Sequence, residues 1–197
     1  MASYTYHLQD ASANTLIILI SIPFLRYNTG RYYISIYPPF RNFMTCIVRK
    51  PSISDYDQIN DLGRWFQENS FYEKCGWSDQ KSLYWVKTGS TPGTATFMRV
   101  VEKDGEVIGF FLAHITEYFF SDKRIAQDLV MVFKPEHREG ISKHIIRMLK
   151  EFFNWAEENE AHEICIGITS GIAGPGYKKL IERRGFKKVG TIMKKEV

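Results

Sequence analysis

The chain has 197 residues, 44% of them hydrophobic, which suits one domain with a sizeable core. Its net charge of +4 is spread out with no block of like charges, so nothing points to nucleic acid, and the apolar run 16–25 is too short to span a bilayer. Three distant cysteines, Cys46, Cys75 and Cys165, fit neither a disulfide frame nor a zinc site; reduced thiols in a cytoplasmic protein without a metal are expected.

Residues 1–43 contain neither Lys nor Glu, and every Lys and Glu of the chain follows Met44. This stretch reads as a non-native or misassigned leader with Met44 as the working start, or as a short strand or partner-binding arm, disordered or not. A signal peptide fits badly, since no Lys or Arg precedes the apolar run and no small-x-small site follows it. The domain proper is expected over residues 44–197. It opens with a strand at 45–50, ended by Pro51. Ser54 and Asp55 then offer an N-cap to a helix whose apolar face is Ile59, Leu62, Trp65 and Phe66. Ser78 caps a second helix through Val86, and TGSTPGT at 88–94 reads as loop. Asp104-Gly105 joins strands at 95–102 and 106–115 as a hairpin. The second of these, VIGFFLAHI, is apolar enough to be covered on both faces. A strand at 125–133 precedes a long helix striped by Ile141, Ile145, Leu149, Phe152 and Ala156. A strand at 164–168, a helix at 177–184 closed by Gly185, and a strand at 186–193 complete an α+β three-layer pattern.

The join PEHREGISK, between the strand at 125–133 and the long helix, has two readings. In the plain one, Pro135 ends the strand and Gly140 eases a helix start. In the other, the helix begins bare so that its unpaired N–H groups and dipole can hold an anion. Gly140 then allows close approach to the backbone, Ser142 adds a hydroxyl, and Arg138 and Lys143 add positive charge.

This element order, with PEHREGISKHI after the fourth strand and LIERRGFKKVG near the end, resembles the GCN5-related N-acetyltransferase (GNAT) superfamily across residues 44–197. The loop is one residue shorter than the usual family signature and is similar to a compact R-G-G-x-A variant of small phage and bacterial members; Glu139 departs from that variant's Gly. The resemblance implies a three-layer α/β/α acyl-CoA N-acyltransferase fold with a mixed, mostly antiparallel sheet. It implies acetyl-CoA as cosubstrate, with its pyrophosphate on Arg138, Glu139, Gly140, Ile141, Ser142 and Lys143. The pantetheine arm would pair with the backbone of Met131, Val132 and Phe133, on a strand splayed from its neighbour. One of those N–H groups would also steady the thioester oxygen.

The implied reaction needs a proton acceptor near the fourth strand. Asp128 is the first candidate, with His114 and Glu117 behind it; His137, His144 and His162 read as loop or helix-surface residues. The family's general acid is the Tyr of L-Y-x-x-x-G-F, where this chain has Ile181. Tyr177, one turn earlier on that helix face, substitutes only if the helix is shifted. The acceptor pocket would draw on Trp65, Phe66, Phe71, Tyr72, Trp77, Tyr84 and Trp85. The expected function is N-acetyl transfer to a primary amine, small molecule or protein, with no nucleic acid or membrane partner and a homodimer allowed. The alternative is a catalytically impaired relative that binds coenzyme A or a protein partner without turnover.

Overall fold

A computed structural model describes residues 46–172 and 175–195; the leader expected over 1–43 lies outside them. The chain forms β1 (Cys46–Arg49), α1 (Tyr56–Glu68), α2 (Asp79–Ser90), β2 (Thr96–Lys103), β3 (Glu106–Tyr118), β4 (Ser121–Phe133), α3 (Ser142–Glu158), β5 (Glu163–Cys165) and α4 (Pro175–Arg183). The strands lie in sequence order in one sheet, antiparallel throughout except for the parallel pair β4–β5. This is the mixed, mostly antiparallel sheet that the resemblance implies, in the α+β pattern read from the sequence.

Local chemistry explains most of the elements. The Ser78 hydroxyl accepts the Lys81 N–H at 3.3 Å and starts α2. At the turn between β2 and β3, Asp104 and Gly105 take φ of +52° and +87°, the paired left-handed geometry of a tight hairpin. Arg49 at the end of β1 donates to both Asp55 oxygens, at 2.6 and 2.8 Å, and to Glu102 at 2.6 Å. That fork ties the first strand to the start of α1 and to β2. It holds the buried Asp55 carboxyl below its ordinary range.

The sheet separates two cores. On one face Ile59 and Leu62 of α1 and Val86 of α2 pack on Met98, Val100, Phe110 and Leu112. On the other, Met148, Leu149, Phe152 and Ala156 of α3 and Ile181 of α4 pack on Phe97, Ile108, Phe111 and Phe133. Phe97, Phe111 and Phe152 meet there with ring centroids 5.0 to 5.5 Å apart. Residues 107–113 of β3 are all buried, as a strand covered on both faces should be.

Several local expectations differ from the structure; β5, expected over 164–168, spans only Glu163–Cys165. The helix expected to end at Val86 continues to Ser90, because the Thr88 and Ser90 hydroxyls turn back onto the carbonyls of Tyr84 and Val86 and satisfy themselves inside the helix. β4 starts at Ser121, so the β3–β4 hairpin is longer than expected. The strand expected at 186–193 does not form: the tail has no regular structure up to residue 195, and Val189, Ile192 and Met193 are exposed. A ladder needs a partner, and β5 has only three residues to offer. His144 faces inward rather than outward; it is buried, with Nε2 3.1 Å from the Cys46 carbonyl, and joins α3 to β1.

Candidate active site

The site is built where β4 and β5 part. They pair only over 125–127 and 163–165. At Asp128 the ladder ends, and Asp128 Oδ1 instead accepts the Gly167 N–H at 2.7 Å. On the opposite edge β3 pairs Ala113 with Asp128 and Leu112 with Val130, so Leu129 is an extra residue, a bulge. From there to Phe133, β4 is bonded to β3 alone, and its other edge shows backbone groups with no strand partner among the described residues. Met131, Val132 and Phe133 lie on this stretch. Val132 and Phe133 bury their side chains in the two cores, which leaves the backbone as what they can offer to a ligand.

Asp128 is half-buried. Burial pushes its carboxyl up to about 6, and the Gly167 N–H opposes that shift. Tyr177 reaches the same place from α4. Its hydroxyl is buried without a hydrogen-bond partner among the described residues, and burial and the Asp128 charge together hold the phenol well above its ordinary range. The fold therefore brings together the two residues singled out as acid and base, and the charge of one is felt by the other. His114 sits on β3 opposite Gln127, its pKa pushed down by burial, with its ring edge-on to Trp85 at 6.0 Å. Glu117 is exposed and paired opposite Arg124, further down the hairpin from the fork.

Ile181, at the position of the family's acid, is 5% exposed and packed in the core. A phenol there would point into packed side chains. Ile181→Tyr is expected to destabilise the chain by about 1–3 kcal/mol through overpacking, read as a lower denaturant midpoint. A gain in stability would mean that this face of α4 is open.

Beyond Phe133 the chain makes a short 3-10 turn at Pro135–His137 and enters α3 through Gly140 at φ +75°. A Cβ at Gly140 would meet nothing within 4 Å, so the space in front of this backbone is open. The helix starts with no side-chain cap and no acidic residue in its first turn. The amides of His144 and Ile145 both bond to the Ile141 carbonyl, leaving the start before them for a ligand. Ile141 is buried and anchors the turn, while Arg138, Glu139, Ser142 and Lys143 are exposed around it. The Arg138 guanidinium lies 5.6 Å from the Trp65 ring centroid, which links this turn to α1.

The loop that follows β5 continues into a second cluster, a wall built with the segment after α1. The Phe71 N–H donates to the Ser170 carbonyl at 3.0 Å, and the Tyr72 and Thr169 hydroxyls are 2.7 Å apart. The Lys194 ammonium lies 3.7 Å from the Tyr72 ring centroid. Of the seven aromatic residues expected in the pocket, Phe71 and Tyr72 belong to this wall. Trp77 is structural: its indole N–H donates to Asn60 and its ring covers Gly63. Tyr84 is exposed on α2. Sequence reasoning missed Gly167, Thr169, Ser170 and Lys194. GITSG reads only as a loop after a strand, and a tail lysine carries no signal of its own.

No family model and no curated protein sequence matches this chain. Solved structures do match it. Glucosamine-6-phosphate N-acetyltransferase from Arabidopsis thaliana superposes with TM-score 0.56 at 14% identity, over 77% of this chain and 98% of that one. A predicted acetyltransferase from Clostridium acetobutylicum, solved with acetyl-CoA, gives 0.55 at 17%, over 77% and 96%. Ribosomal-protein-alanine N-acetyltransferase from Brucella melitensis gives 0.53 at 15%, over 78% and 100%. At these identities the likeness is one of fold.

Proposed function

We infer that this chain, whose fold is that of the GCN5-related N-acetyltransferases, transfers the acetyl group of acetyl-CoA to a primary amine of a small molecule or protein. The observation that carries this is the fork between β4 and β5, with a half-buried carboxyl at its apex and a bare helix start at its end. The residues present fit the cosubstrate. The free edge of β4 at Met131, Val132 and Phe133 would hold the pantetheine arm, and the turn Arg138–Glu139–Gly140–Ile141–Ser142–Lys143 would hold the pyrophosphate. When bound, acetyl-CoA supplies the acetyl group as a thioester.

The chain's own residues handle the protons. Asp128, with a pKa of about 6, is ionised at neutral pH yet basic enough to take a proton from an incoming ammonium, directly or through water. The Tyr177 hydroxyl keeps its proton and stands ready to donate it to the departing sulfur. A cytoplasmic location accords with three free cysteines.

The test is amine-dependent thiol release from acetyl-CoA, with acetylated product identified by mass. Binding of acetyl-CoA without release across a broad amine panel would reduce the reading to a binding domain. Tyr177→Phe separates a catalytic hydroxyl from a structural one. The hydroxyl has no partner, so its loss should leave stability unchanged or raise it by about 1 kcal/mol. The turnover number should fall roughly tenfold, below the usual general-acid range because a thiol of pKa about 8.5 leaves readily. An unaltered kcat would remove Tyr177 from the mechanism.

A further inference from the structure

The wall around Tyr72 already holds a cation. The Lys194 ammonium lies 3.7 Å from the centroid of Tyr72, well inside the ~6 Å range of cation–π attraction. The ring is fixed from several sides. Its hydroxyl is bound to Thr169 at 2.7 Å, its N–H donates to the Ser70 hydroxyl at 3.2 Å, and its carbonyl accepts from Gln67 at 2.7 Å. The adjoining depression is lined by Glu68, Glu73 and Lys74 together with Phe71 and Ser170, two acidic side chains against one basic. Lys194 itself belongs to an exposed tail without regular structure, so it can be displaced.

The same loop connects this platform to the base. Thr169, which holds Tyr72, is two residues from Gly167, which holds Asp128, a backbone span of at most about 7 Å. One loop therefore carries both the residue that holds Asp128 and the residue that holds Tyr72. We propose that the face of Tyr72 is the subsite for a second ammonium group of the acceptor, held in this structure by the chain's own Lys194, and that the acceptor is a small linear polyamine. This rests on the acetyltransferase reading and narrows its substrate class. A single amine satisfies Asp128 and leaves the Tyr72 face to Lys194; a polyamine satisfies both and displaces the tail.

The experiment compares spermidine with hexylamine, a monoamine of similar reach, at saturating acetyl-CoA. Wild type should prefer spermidine in kcat/KM, with the difference in KM. Tyr72→Leu should cut that preference roughly threefold to thirtyfold, the range set by a cation–π contact. Tyr72→Phe, which keeps the ring, should retain most of it. Lys194→Ala should lower the KM for spermidine by removing the internal occupant. Equal KM values for the two amines in wild type, or an equal effect of Tyr72→Leu on both, would overturn the subsite. Calorimetric binding of spermidine to the same three variants gives a readout without turnover. If neither amine is acetylated, the polyamine acceptor is overturned, while the enzymatic reading is decided by the broad amine panel. Spermidine binding that weakens in Tyr72→Leu and tightens in Lys194→Ala would still uphold the subsite, and binding indifferent to both would sink it.

Discussion

Asp128→Asn should make the protein slower and more stable at the same time. The activity loss expected for removing a general base is about 10² to 10⁴ in kcat. The wild-type rate should fall as pH drops through about 6, where the Asp128 carboxylate takes up its proton, and the variant should lack that limb. Stability runs the other way. The folded carboxyl is raised from the ordinary 3.8 to about 6, so the folded state binds the proton more tightly than the unfolded chain does. Wild type therefore carries no penalty from this group below about pH 4, loses stability between there and about pH 6, and stays penalised above. The full penalty corresponds to about 3 kcal/mol as an upper figure. Asparagine keeps an oxygen for the Gly167 N–H and escapes that penalty. Urea melts of both proteins at pH 4 and pH 8 check this: the variant should gain at pH 8 and little at pH 4. A variant destabilised at both values would show that the ionised carboxylate is welcome where it sits.

Gly140→Asp should abolish the stabilisation that acetyl-CoA confers. A ligand at a hundredfold excess over Kd adds about 2.7 kcal/mol when it binds only the folded chain. An aspartate at this turn puts a carboxylate in the open space before the bare end of α3. It also forces a side-chain residue to adopt φ +75°, which costs about 1–2 kcal/mol without ligand. Gly140→Asn separates the two effects, since asparagine tolerates this conformation and carries no charge. The expected result is a modest loss of unliganded stability in both variants, with the ligand-induced shift kept largely in Asn and lost in Asp. Thermal shifts with and without acetyl-CoA measure it. A full shift in the Asp variant would place the pyrophosphate elsewhere.

The parts of the site differed in how legible they were. Asp128 could be picked out because the resemblance places a Glu or Asp at about that point of the fourth strand, and Gly140 because a lone glycine between strand and helix needs a reason. Tyr177 was visible only as the nearest phenol to a missing one, and only the fold brings it within reach of the Asp128 charge. His144 looked like a helix-surface residue, yet it is buried against β1, because the face that a helix presents depends on which strand packs beside it. The tail at 186–193 has the composition of a strand and remains without one.

The sequence by itself determined the features whose physics is short-ranged. The Asp104-Gly105 turn needs two adjacent residues tolerant of positive φ, and the apolar run of β3 needs only its own side chains to demand cover on both faces. The stripe of α3 depends on helical spacing alone. Tertiary structure decided whatever required a distant partner. A strand forms only where a neighbouring edge is free to bond, so β5 stops when Gly167 turns to Asp128 and the tail goes unpaired. A carboxyl rises to about 6 only when packing removes its water. The meeting of Tyr72, Thr169 and Lys194 joins three segments that no periodicity links, because contact between remote residues is set by how layers stack and not by the order in which the chain is written.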